Sequence, residues 1–167
     1  MSQNTARPVP KNSVDREAFR DMCRKFAQKE IGPRWQQADK ESKFPMEFYH
    51  AACKAGLIGL HAPESLGGAG LGVTEEAISI EEQAKVNPNL AVMALIQGVA
   101  GSLLWEHGND GHHQIAKANN AGECLLALAV TEPEAGSDVQ SIKTTAKREG
   151  DQWVLDGTKS FITLAGD

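Results

Sequence analysis

Five apolar positions near the start of the chain, Phe19, Met22, Cys23, Phe26 and Ala27, recur three and four residues apart, the spacing of one helix face. Ser13 is the expected cap, with Asp15 in a first turn whose positive dipole end suits a carboxylate. Gly32-Pro33 stops or bends this helix. A brief polar helix carrying Trp35 is expected to follow, up to Lys40. Pro45 then reads as a first-turn proline, and Phe48, Ala51, Ala52 and Ala55 form a narrow apolar face. Gly56 sits where a left-handed cap is wanted. The glycine-rich residues 63–72 read as a flexible turn, because they lack the third glycine of G-x-G-x-x-G and no β-branched strand precedes them. Thr74 is the expected cap of the next helix, which carries Glu75 and Glu76 near its positive end and stops near Val86. Residues 89–107 are apolar nearly all round, the pattern of a helix buried on most sides. Gly98 and Gly101 within it each cost about 1 kcal/mol of helix propensity, which implies close approach of another backbone. A short helix over 110–118 and a turn at 119–122 close this half.

The period then shortens to two. Residues 124–130 read as a short apolar strand, which breaks at Pro133 and Gly136. Residues 144–148 alternate, Glu149-Gly150-Asp151 turns the chain, and 152–155 return it. Asp156-Gly157 is a tight-turn signal before a third strand over 159–164. The expected fold class is α+β. A tail over 1–12 leads to an all-α helical domain over 13–123, and the first strands of a β-domain follow over 124–167. Three strands without a covering layer are barely enough for stability.

Composition narrows the function classes. With 167 residues, 41% hydrophobic and 23% charged, the chain can build one or two small domains with a real core. A net charge of −5 argues against nucleic-acid binding, which needs basic patches. Cys23, Cys53 and Cys124 lie far apart, so neither a zinc site nor a disulfide framework is expected, and a reducing, cytoplasmic setting is. His112 and His113 are adjacent, so on a helix they diverge by roughly 100° and share a metal poorly. No metal site is expected. The first thirty residues contain no secretory core, and the apolar run over 90–105, interrupted by Gln97, is short for a transmembrane segment.

The chemistry concentrates in Leu128-Ala129-Val130-Thr131-Glu132-Pro133-Glu134-Ala135-Gly136-Ser137-Asp138. Two hydroxyls, Thr131 and Ser137, flank a break in the backbone. Such a loop leaves amide and hydroxyl donors side by side, a concavity suited to an anionic oxygen, although turn and cap roles serve the same residues. The string Val-Thr-Glu-Pro-x-Ala-Gly-Ser-Asp closely resembles the flavin loop of the acyl-CoA dehydrogenase family. Gly157-Thr158-Lys159-Ser160-Phe161-Ile162-Thr163 resembles that family's second flavin segment, in the right order and at the right separation. Residues 56–71 and the Glu-Glu-Gln-Ala at 81–84 resemble its first helical domain, so the resemblance runs from Ser13 to the end.

That resemblance implies a β-barrel middle domain, of which this chain carries the start, and FAD as cofactor. It implies cofactor contacts at Leu128, Val130, Thr131, Gly136 and Ser137, with Ser137 near the pyrophosphate or the acyl-CoA substrate. Phe161 is implied against the flavin ring, where the family often has Trp, and Thr163 at the N5 edge. Glu134 departs from a commoner glycine. The implied reaction removes an α-proton from an acyl thioester while a β-hydride passes to the flavin. The family's base is a glutamate of a later helical domain, so it is expected beyond Asp167 and no catalytic residue is assigned. Alone, these residues are expected to be inactive. Electron-transfer flavoprotein as acceptor and a homo-oligomeric complete enzyme are further implications. A flavin oxidase or monooxygenase of the same fold, and a non-catalytic helical interaction module, are the alternatives.

Overall fold

The computed structural model describes residues 14–41 and 43–166, so the tail expected over 1–12 and the cap expected at Ser13 lie outside the described residues. Asp15 caps the first helix itself, its carboxylate accepting from the amides of Glu17 and Ala18 at 3.0 and 3.2 Å. Helix α1 (Arg16–Phe26) runs into a π turn (Ala27–Ile31). Its buried residues Phe19, Cys23, Ala27 and Ile31 fall every four positions, and the wider turn keeps Ile31 on the inner face. Helix α2 (Trp35–Glu41) is polar, as its sequence requires, with Trp35 packed on the core. Helix α3 (Met46–Lys54) buries Phe48, Tyr49 and Ala52, whereas Ala55 is exposed.

Residues 56–72 pack rather than swing. The Leu71 amide donates to the Leu60 carbonyl at 2.9 Å and the Gly70 amide to the Ala62 carbonyl at 3.0 Å. A Cβ on Gly68 would stand 2.0 Å from the Ala62 carbonyl oxygen, so glycine is required there by contact. Helix α4 (Val73–Ala84) begins two residues earlier than Thr74 suggests: Gly72 is its cap, and the Glu75 carboxylate accepts from the Gly72 amide at 3.0 Å. Across to α1, the buried Glu82 carboxylate meets Arg20 at 2.8 Å, Arg24 at 3.1 Å and Lys85 at 2.7 Å. These three cations hold its carboxyl down at about 2.

Helix α5 (Pro88–His107) is 20 residues long, with Asn87 as cap. By length and composition it is the one described helix that could cross a membrane. It packs instead between α4 and α6 (Asp110–Ala121), burying Leu90, Ala91, Ala94, Ala100 and Gly101. Its glycines answer side chains rather than another backbone. A Cβ on Gly98 would lie 2.8 Å from a Glu76 carboxylate oxygen, and one on Gly101 3.6 Å from the Asn119 amide oxygen. Asn119 and Asn120, expected in a turn, are the last buried turn of α6, because Gly122 at φ +82° supplies the left-handed cap after them.

Gln97, which interrupts the apolar run, clamps a peptide. Its amide nitrogen donates to the Leu126 carbonyl at 2.9 Å and its oxygen accepts from the Leu126 amide at 2.8 Å. The Asn119 side-chain nitrogen donates to the same Gln97 oxygen at 2.8 Å, to the Cys124 carbonyl at 3.1 Å and to the Tyr49 hydroxyl at 3.1 Å. Residues 124–126 are thereby stapled to three helices, and the chain divides after Leu126 into two compact units, 1–126 and 127–167.

In the second unit, β1 (Thr145–Glu149) and β2 (Gln152–Asp156) form an antiparallel hairpin with Glu149 opposite Gln152 and Thr145 opposite Asp156. Helices followed by an antiparallel pair make the fold α+β. Two expected strands are absent as strands. Residues 124–130 pair with no neighbouring strand among the described residues, their polar groups being taken in part by Gln97 and Asn119. Residues 159–164 turn instead, because Phe161 and Leu164 stand at φ +58° and +66°, outside the β region.

Candidate functional site

Glu132 holds the second unit together. Its amide donates to the Ala135 carbonyl at 3.0 Å and its carbonyl accepts from the Ala135 amide at 3.2 Å, which closes the turn around Pro133. Its side chain is buried and accepts from the amides of Lys143 (2.7 Å) and Thr144 (3.0 Å), from the Thr144 hydroxyl, and from the Lys159 ammonium (2.9 Å). The Thr144 hydroxyl, the Lys143 amide and Lys159 together hold its carboxyl down at about 2. A carboxylate so committed is a poor proton acceptor, which matches the absence of any catalytic role assigned to it. Sequence reading missed this role. Its only signal was a buried-type position beside proline, since its partners lie 11 to 27 residues away.

Around Glu132 the two strings meet. The Ser160 amide donates to the Thr131 carbonyl at 2.9 Å, and Lys159 Nζ donates to the Val130 carbonyl at 2.9 Å as well as to Glu132. Residues 130, 131 and 132 are therefore each tied to residues 159–160. Thr131 and Leu128 are half-buried, Val130, Gly136 and Ser137 are exposed, and Thr163 lies half-buried in the final turn. Phe161 is 94% exposed although its backbone sits at φ +58°. A bulky residue held at positive φ costs about 1–3 kcal/mol and clusters at ligand sites.

The donor set suits a dinucleotide. The hydroxyls of Thr131 and Ser137 and the amides of Gly136 and Ser137 have no protein partner among the described residues. Open space lies beside Gly136, where an added Cβ would meet nothing within 4 Å. Free donors for phosphate oxygens and a bare aromatic face for a ring are the parts FAD requires, so the residues present fit it. A cavity of about 410 Å³ lies nearby, lined by Glu134, Lys143, Thr144, Lys147 and Asp156 among others. None of the seven expected cofactor residues lines it, and its acids offset its lysines. Among the described residues no cluster of His, Cys, Asp and Glu has the arrangement of a metal site.

A helical unit leading into a β-unit that brings the two strings together is the arrangement the sequence resemblance implies. Residues 13–115 match the family model of the acyl-CoA dehydrogenase N-terminal domain and residues 127–167 that of the middle domain, so the chain belongs to the acyl-CoA dehydrogenase family. The rat mitochondrial long-chain specific acyl-CoA dehydrogenase is 36% identical over 152 residues, covering 90% of this chain and 35% of the relative. The human mitochondrial short-chain specific enzyme is 38% identical over 148 residues, covering 86% and 35%. A chain in the solved structure described for the electron transferring flavoprotein of Acidaminococcus fermentans superposes with a TM-score of 0.81 at 28% identity, covering 94% of this chain and 42% of its own length. The chain thus spans little more than a third of the curated relatives it matches.

Proposed function

We propose that the complete gene product containing this sequence is an FAD-dependent dehydrogenase that introduces a double bond between the α and β carbons of acyl-CoA thioesters, in fatty or branched acyl catabolism. FAD, when bound, supplies the acceptor for the β-hydride. This chain's residues bind and orient. Thr131, Gly136 and Ser137 donate to pyrophosphate oxygens, with Ser137 within reach of the acyl-CoA. Leu128 and Val130 would contact the cofactor, Phe161 would lie against its ring and Thr163 would approach its N5 edge. The observation that carries the reading is the Ser160-to-Thr131 hydrogen bond, which joins two strings separated by about two dozen residues around donors that lack protein partners.

The rat and human relatives support an acyl-CoA substrate, and the Acidaminococcus structure supports an electron-transferring flavoprotein as acceptor. A homo-oligomer and a reducing compartment such as the cytoplasm complete the proposal; the three free thiols Cys23, Cys53 and Cys124 support the latter. The test is turnover of an acyl-CoA panel by the complete gene product with an artificial electron acceptor. Acyl-CoA-dependent reduction of the acceptor is expected, and no reduction with any chain length contradicts the reading.

A further inference from the structure

We propose that Glu132 and Lys159 form an ionic latch that aligns the loop over 130–137 with residues 159–163, making both of them positioning residues for the flavin. The inference rests on the flavin reading above and adds to it two residues that are not among the expected contacts. Lys159 is three-quarters buried and bridges the Val130 carbonyl and the Glu132 carboxylate, both at 2.9 Å. The Ser160 amide beside it holds the Thr131 carbonyl. Glu132 also gathers the Lys143 and Thr144 amides, so one carboxylate fixes three separate segments of chain. No ladder of strand pairs spans residues 130–132 and 159–160 among the described residues. Side-chain hydrogen bonds to charged groups therefore take the place of a sheet there, and such bonds are the stronger kind. The consequence is directional. Thr131 bears a free hydroxyl one residue from the Val130 carbonyl, and Phe161 presents its ring two residues from Lys159. Releasing Lys159 uncouples donor and ring without removing either.

The test compares Lys159→Met, Lys159→Arg, Glu132→Gln and Phe161→Ala in the complete gene product. Two quantities are read: FAD dissociation, and amide hydrogen exchange at Ser160 and in α4 and α5 without cofactor. Loss of charged hydrogen bonds predicts at least about tenfold weaker FAD binding for Lys159→Met and Glu132→Gln. Ser160 exchange should accelerate while α4 and α5 keep their protection, and Lys159→Arg should restore most of the affinity. The visible spectrum of the flavin retained by Lys159→Met should shift, which a loss of stability alone would not cause. If Phe161→Ala weakens FAD and Lys159→Met does not, the latch is overturned and the flavin reading stands. If the unaltered protein takes up no FAD, the flavin reading falls and the latch falls with it.

Discussion

Ser137 and Phe161 are candidates on local strings alone: a hydroxyl after glycine, an aromatic two residues before a threonine. Ser137→Ala in the complete gene product should weaken binding of FAD or substrate by about 1.5–3 kcal/mol, the worth of a hydrogen bond to a charged oxygen. Titration of apoprotein with FAD, together with KM for acyl-CoA, checks this; both constants unchanged would remove Ser137 from the site. Glu132 was illegible for the opposite reason. Its backbone partner Ala135 is close in sequence, but its side chain answers Lys143, Thr144 and Lys159, and nothing in a linear string announces a carboxylate shared among them. Gln97 is similar. In the sequence it only interrupts an apolar run, whereas in the fold it forms both hydrogen bonds to the Leu126 peptide.

Helices were easier to read than strands because amphipathic spacing is a local property. Phe19, Cys23 and Phe48 all lie where periodicity placed them, and the helix beginning near residue 89 gained only Pro88. Boundaries slipped where a capping group stood two or three residues from the obvious candidate, as with Gly72 for Thr74 and Gly122 for the Asn119 turn. The strands expected over 124–130 and 159–164 failed because alternation says nothing of a partner. Two outcomes follow for the helical unit. Gln97→Leu leaves the half-buried Leu126 amide and carbonyl without their partners, whereas Asn119 keeps the Cys124 carbonyl and Tyr49 hydroxyl, so it should cost about 1–3 kcal/mol per stranded Leu126 group, read by urea unfolding of helical circular dichroism. A midpoint within error of the unaltered protein would contradict the clamp. Acid should also weaken the α1–α4 contact. Glu82 has a folded-state pKa near 2, below the ordinary 4.5, so its contribution is complete above about pH 4.5 and is lost as pH falls toward 2. Glu82→Gln should flatten the pH dependence of stability across that window; an unchanged acid transition would show that other carboxylates govern it.

Taken together, the chain presents a helical unit with a continuous core and a β-unit whose hairpin is exposed along both strands, Trp153 and Leu155 at 65% and 73%. Exposed apolar strands and unpaired edges invite association. Residues 1–167 should therefore self-associate, with size-exclusion chromatography as the check; a monomeric protein across the concentration range would contradict this. The most direct test is an anaerobic titration of the complete gene product with acyl-CoA, following the visible absorption of its bound cofactor. The expected result is one FAD per chain, bleached in proportion to added acyl-CoA and recoloured by an electron acceptor. A colourless protein, or a flavin that no acyl-CoA bleaches, would contradict the assignment of these two strings to an acyl-CoA-oxidising flavin site.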